Sequence, residues 1–307
     1  MTDAEVVAET RRMNAALEGL LSGMPPVHTV PPEQTRQARR DGKGPFPGPV
    51  YLEDARWETI AGRGGEIRIR VVEPPGESKG AYLHFHGGGW VLGAADLQDL
   101  ALRKASDATG LTFLSVDYRL APEHPYPAGP DDCEDAALWL LEQGFPRLVV
   151  GGESAGAHLA AVTLLRLRDR HRIDVRDAFA GANLVFGPFD LTGTPSRWIW
   201  GDRELLLSSP EMDWFADCYL PGMPDHERRT GDVSPLFARL HDLPPALFTC
   251  GTLDPLLDDS LFMEVRWRTA GNETRLSLWP EAPHGFVAFD IEAARRSLAE
   301  QYAFISG

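Results

Sequence analysis

The sequence predicts an α/β fold, with a mostly parallel central sheet flanked by helices. Three observations predict it. From residue 50 onward, short apolar runs of strand character alternate with helical patterns, and such alternation lays crossover helices over both faces of a parallel sheet. Leu148-Val149-Val150 run straight into Gly152-Glu153-Ser154-Ala155-Gly156. A helical pattern leaves that pentapeptide, with Leu159, Val162 and Leu165 on one face. Finally, 307 residues at 43% hydrophobic content are enough for one large domain with a full core.

Residues 1–45 stand apart from this alternation. Thr2 with Glu5 forms a capping-box pattern, and Val6, Met13, Leu17 and Leu20 share a helical face behind it. Pro25-Pro26 and Pro31-Pro32 break the chain, and a Gly/Pro-rich link covers 42–49. The amphipathic helix must lie on something: a cap over the main domain, or the core itself.

Strands begin after Val50. Runs at 57–60 and 66–71 flank the turn Gly62-Arg63-Gly64-Gly65, giving a hairpin and an antiparallel start. Buried strands are expected at 82–85 and 113–116, joined by a helix over about 96–109. A helix over 136–141 precedes the central strand at 148–150; later strands are read at 182–186, 246–250 and 275–278, and a last helix at about 291–304. Residues 193–231 interrupt the alternation. They carry Trp198, Trp200, Leu205, Leu206, Leu207, Met212, Trp214, Phe215 and Tyr219. We read this stretch as a second cap segment lining an apolar pocket above the strand ends, with an ordinarily packed helix pair as the alternative. The domain expectation is thus one domain over 1–307 with helical cap segments at about 1–45 and 193–231.

The formal net charge of −15 argues against nucleic acid or an anionic membrane as a partner. Cys133, Cys218 and Cys250 form no C-x-x-C pair, so the sequence offers no metal or redox motif, and free thiols suit a reducing compartment. The N-terminus lacks the basic and apolar regions of a signal peptide, and no run nears the roughly 18–20 apolar residues of a membrane span. The expectation is a soluble, cytoplasmic protein.

Gly152-Glu153-Ser154-Ala155-Gly156 sits in the strand–turn–helix context that a nucleophile elbow requires. There a serine hydroxyl stands exposed on a strained turn, and the helix N-terminus favours a developing oxyanion. Alone, such a pentapeptide arises by chance on the order of once in ten chains of this glycine content. A nucleophilic serine also needs a base, an orienting acid and oxyanion donors. His84-Phe85-His86-Gly87-Gly88-Gly89-Trp90 leaves a strand with three glycines in a row, whose N–H groups are unscreened by side chains. Among nine histidines, His284 in Pro283-His284-Gly285-Phe286 follows a late strand and is the candidate base. Asp254, after the strand at 246–250, is the candidate orienting acid; a helix cap before Pro255 is the alternative, and the position after a late strand favours the catalytic reading. Asp258 and Asp259 are nearby rivals, expected in the first turns of the next helix.

Five motifs together resemble the bacterial hormone-sensitive lipase family of α/β-hydrolases: His86-Gly87-Gly88-Gly89-Trp90, Asp117-Tyr118-Arg119-Leu120-Ala121-Pro122-Glu123, Gly152-Glu153-Ser154-Ala155-Gly156, Asp254-Pro255-Leu256 and Pro283-His284-Gly285-Phe286. The resemblance implies an α/β-hydrolase fold, a carboxylesterase activity on small-molecule esters, no cofactor and a two-segment cap. It implies that the N–H groups of Gly88, Gly89 and Ala155 form an oxyanion hole, supported by His86, Gly87, Gly152 and Gly156. It also implies that Arg119 and Glu123 pin the loop behind the elbow, and it allows a homodimer through an edge strand. Glu153 departs from the family, which often has Asp there, and Ala157 stands where Gly is common. The expected reaction is hydrolysis of small or medium acyl esters through Ser154, His284 and Asp254. Amide, carbamate or lactone cleavage by the same residues, or a non-catalytic ligand receptor on this fold, are the rivals.

Overall fold

The computed structural model describes residues 1–307. A hairpin of β1 (Arg56–Gly62) and β2 (Gly65–Val72) opens the sheet, turning at Arg63-Gly64. Strands β3 (Ala81–Phe85), β4 (Thr112–Asp117), β5 (Leu148–Glu153), β6 (Gly181–Val185), β7 (Ala246–Leu253) and β8 (Thr274–Pro283) complete it in the spatial order β1-β2-β4-β3-β5-β6-β7-β8. Strand β2 runs antiparallel to β1 and β4, and all pairs from β4 to β8 are parallel. Every expected strand is present, within a few residues of its expected ends.

Side-chain alternation along the strands divides the core. Leu83, Phe85, Val150, Ala182, Leu184 and Phe248 face α4 (Ala128–Leu141), α5 (Ala155–His171) and α10 (Leu257–Thr269), which adds Trp267. Tyr82, Phe113 and Val149 face the other way, toward α3 (Asp99–Thr109) and α11 (Glu292–Ser306). Helix α5 is buried from Ala155 to Arg168, so its apolar residues do not form a single face as the sequence suggested. It lies behind the central strand and is covered on all sides.

The first helix, α1 (Asp3–Leu21), carries the expected capping box between Thr2 and Glu5. It docks on β8 and α11. Val6 and Leu17 are buried, but Leu20 is half-exposed, because the docked face runs through Thr10 and Asn14 instead. Asn14 donates to the Glu281 carbonyl at 2.8 Å, and Arg11 pairs with the Glu281 carboxylate at 3.0 Å. Helix α2 (Pro32–Arg40) is tied down by Arg36, which donates to the carbonyls of Val91 and Ala121 and pairs with Glu123 at 2.8 Å. The short helix α6 (Val175–Ala178) precedes β6, and the insertion after β6 holds α7 (Pro195–Trp200), α8 (Ser209–Tyr219) and α9 (Asp225–Arg228), all within 193–231.

Candidate active site

Parallel register gathers the site along the C-terminal ends of the strands. Phe85 pairs with Gly152, Glu153 with Val185, and Leu253 with Pro283. The residues that leave this row are His86, Ser154, Asp254 and His284. Between Gly251 and Leu253 the β7–β8 register shifts, because β8 holds extra residues there. Glu281 in that bulge adopts φ 62° and donates its N–H to Thr252 Oγ1 at 2.9 Å. The bulge carries His284 forward to face Asp254, and α1 is anchored on it through Asn14 and Arg11.

Ser154 sits between β5 and α5 with φ 55° and ψ −121°. Non-glycine residues held in such sparsely populated conformations cost on the order of 1–3 kcal/mol. Surrounding contacts impose the turn: the Ser154 N–H donates to Val185 O at 2.8 Å. The Phe85 carbonyl occupies the space that a side chain on Gly156 would need, so strand and helix close tightly here. Ser154 Oγ lies 3.0 Å from His284 Nε2. His284 Nδ1 lies 3.0 Å from Asp254 Oδ2. A carboxylate can only accept, so Nδ1 carries the hydrogen and Nε2 offers its lone pair to the serine hydroxyl. The second oxygen of Asp254 accepts the Leu256 N–H at 2.8 Å. Asp254 is buried, and His284 nearly so.

The rival acids are engaged elsewhere. Asp258 accepts the Ser196 N–H at 2.8 Å. Asp259 accepts the N–H groups of Phe189 and Asp190 and the Thr194 hydroxyl, and burial pushes its carboxyl up to about 7. Both anchor the loop after β6 to α10.

The glycine loop crosses in front of the serine. The N–H groups of Gly88, Gly89 and Ala155 have no acceptor within the protein. His86 stacks on Tyr118, with ring centroids 4.2 Å apart, and the Tyr118 hydroxyl donates to His86 O at 2.7 Å. Trp90 donates to His158 Nδ1 at 3.2 Å, and His158 Nε2 lies 2.8 Å from Val233 O. Burial lowers both His86 and His158 to about 4, so both stay neutral. Glu153, the residue before the serine, lies 3.1 Å from His84 Nε2 and 3.5 Å from Gln98 Nε2. Burial alone would raise its carboxyl, but the His84 charge and these hydrogen bonds outweigh it and hold it below the ordinary range. Arg119 and Glu123 act apart: Arg119 binds Asp132 on α4, while Glu123 takes Arg36 of α2. Each thus ties the 117–123 loop to a different helix, while Tyr118 reaches from it to the glycine loop.

A cavity of about 450 Å³ opens on Ser154 and His284. Residues 193–231 line it through Leu206, Leu207, Met212 and Phe215, while Trp198 points out and is 64% exposed. The 42–49 stretch, read from the sequence as a link, forms another wall. Phe46 stacks on Phe289 at 5.9 Å and abuts Gly285, beside His284. Nothing in the sequence flags Phe46, because the contact is made across more than 200 residues of chain.

A family model described as alpha/beta hydrolase fold matches residues 82–288. The chain is an α/β-hydrolase. The motif-based likeness to the bacterial hormone-sensitive lipase family agrees with its relatives. This α/β-hydrolase is 35% identical over 252 residues to the carboxylic ester hydrolase LipN of Mycobacterium tuberculosis, covering 79% of this chain and 66% of that protein. It is 35% identical over 256 residues to the carboxylesterase NlhH of the same species, covering 76% of this chain and 77% of that one. Among solved structures, an esterase from Pyrobaculum calidifontis superposes with a TM-score of 0.83 at 30% identity, over 95% of this chain and 97% of that one.

Proposed function

We propose that this α/β-hydrolase is a serine carboxylesterase acting on small or medium acyl esters. The relay Ser154–His284–Asp254, at 3.0 Å for each step, carries the reading. His284 Nε2 takes the Ser154 proton as Oγ attacks the ester carbonyl. Asp254 fixes the imidazole tautomer and stabilises the cation. The free N–H groups of Gly88, Gly89 and Ala155 receive the oxyanion. His284 then gives its proton to the leaving alcohol, and water, activated by the same histidine, releases the acid.

The cavity of about 450 Å³ suits short and medium acyl groups. The net charge of −15 supports a small-molecule partner over nucleic acid or an anionic membrane. No helix is long and apolar enough to cross a membrane, and three free cysteines support a cytoplasmic setting. A homodimer through an edge strand remains part of the proposal, and light scattering tests it. Ser154→Ala abolishes turnover of 4-nitrophenyl acetate and labelling by a phosphonate ester, with the thermal transition unchanged. Activity near that of the unaltered protein would overturn the reading.

A further inference from the structure

The three arginines of α2 have different fates. Arg36 pairs with Glu123 at 2.8 Å, and Arg40 with Asp96 at 3.3 Å. Arg39 has no carboxylate within 4.0 Å and no hydrogen-bond acceptor, although it is half-buried and lines the cavity that holds Ser154 and His284. The cavity's other cations are accounted for. Lys43 pairs with Asp41 at 3.1 Å, Arg197 pairs with Asp213, and Lys104 is exposed.

The cavity's acids are also committed. Glu153 is held by His84 and Gln98. Glu211 accepts the Ser208 N–H at 3.0 Å and the Val27 N–H at 3.4 Å. Burial lowers the Arg39 guanidinium to about 10, with Glu211 opposing the shift weakly. A guanidinium stays charged in a protein, so Arg39 is a half-buried cation without an ionic partner at the wall of the cavity, an arrangement that favours an anionic ligand.

Its place indicates which part of a substrate it meets. The Arg39 guanidinium lies 5.5 Å from the centroid of the Phe46 ring, and Phe46 abuts Gly285. Arg39 therefore stands on the His284 side of the cavity. A base that returns its proton to the leaving alcohol must have that alcohol beside it. Arg36, one turn earlier, fixes α2 through Val91, Ala121 and Glu123, so the Arg39 side chain starts from a rigid helix.

Building on the esterase reading, we propose that Arg39 binds a carboxylate carried on the alcohol portion of the substrate, making this a hydrolase of acylated hydroxy acids. The test compares kcat/KM for 4-acetoxybenzoate with that for its neutral counterpart, 4-acetoxybenzamide. In the unaltered protein the anionic ester is preferred, and 0.5 M salt reduces the preference. Arg39→Gln lowers the anionic-to-neutral ratio about tenfold or more, equivalent to ~1.4 kcal/mol, mainly through KM. Arg39→Lys keeps most of the preference. An unchanged ratio in Arg39→Gln would overturn the proposal. So would an equal loss on both substrates, which would make Arg39 a counterweight to Glu211. Calorimetric binding of 4-hydroxybenzoate to Ser154→Ala, with and without Arg39→Gln, reads the same site without turnover. If the esterase reading fails, tight binding lost with Arg39 still supports the anion site, and equal binding refutes it.

Discussion

Replacing Asp254 by Asn changes one atom and reverses the imidazole. Asp254 accepts two hydrogen bonds: Leu256 N–H at 2.8 Å and His284 Nδ1–H at 3.0 Å. An asparagine has one acceptor oxygen to offer. The Leu256 N–H is a fixed donor on the backbone, so the oxygen turns to it and the amide NH2 faces His284 Nδ1. An NH2 can only donate, so Nδ1 must accept and the ring proton moves to Nε2. That nitrogen then points a proton at Ser154 Oγ and cannot take one. Loss of the correct tautomer costs about 10⁴-fold in kcat, or ~5.5 kcal/mol. Initial rates on 4-nitrophenyl acetate measure it, with thermal unfolding to confirm that the near-isosteric variant folds. Asp258→Asn, at the rival position, leaves kcat within a few-fold. An Asp254→Asn enzyme within tenfold of the unaltered rate would refute the assignment of the orienting acid.

Two further outcomes follow from the same geometry. Gly88 has φ 118°, and the Leu92 carbonyl fills the space where a side chain would stand; Gly88→Ala therefore displaces the loop and lowers kcat about 10²–10³-fold with KM little altered, as steady-state kinetics will show. His86 and His158 are buried neutral at about 4, against an ordinary 6.5. Folded pKa values that are depressed mean that the unfolded chain binds protons first, so stability is full above about 6.5 and falls as pH drops toward 4. Each histidine withdraws about 2 kcal/mol between pH 7 and pH 5. Urea unfolding at the two pH values measures this, and His158→Asn shrinks the loss by one such share; an undiminished loss would remove His158 from the account.

Much of the site was legible because its chemistry is local in sequence and ordered along the chain. Strand ends present Ser154, Asp254 and His284 in the order of their strands, and glycine runs mark the turns that need them. The choice among Asp254, Asp258 and Asp259 was not legible with certainty, because all three sit near one helix start. It is made by long-range partners: Phe189, Asp190 and Thr194 claim Asp259, and Ser196 claims Asp258. The reading of Leu20 as docked failed for a related reason. Helix α1 is positioned by polar bonds from Asn14 and Arg11 to a bulge in β8, which hydrophobic periodicity does not register. The walls of the cavity were the least legible. Arg39 and Phe46 look like a polar helix end and a loop until the fold brings Phe46 beside residue 285 and Arg39 near its ring.

Two walls of the cavity meet the site at two glycines. The Phe215 ring lies where a Gly89 side chain would stand, and Phe46 covers Gly285 next to the base. One contact ends on Gly89, a proposed oxyanion donor, and the other on the residue following His284. Each ring bears directly on the backbone of its glycine, with no intervening side chain. A substrate that packs against both rings therefore bears on the proposed donor at Gly89 and on the residue that carries the proposed base. Selectivity in such an arrangement is expressed in turnover as well as in binding.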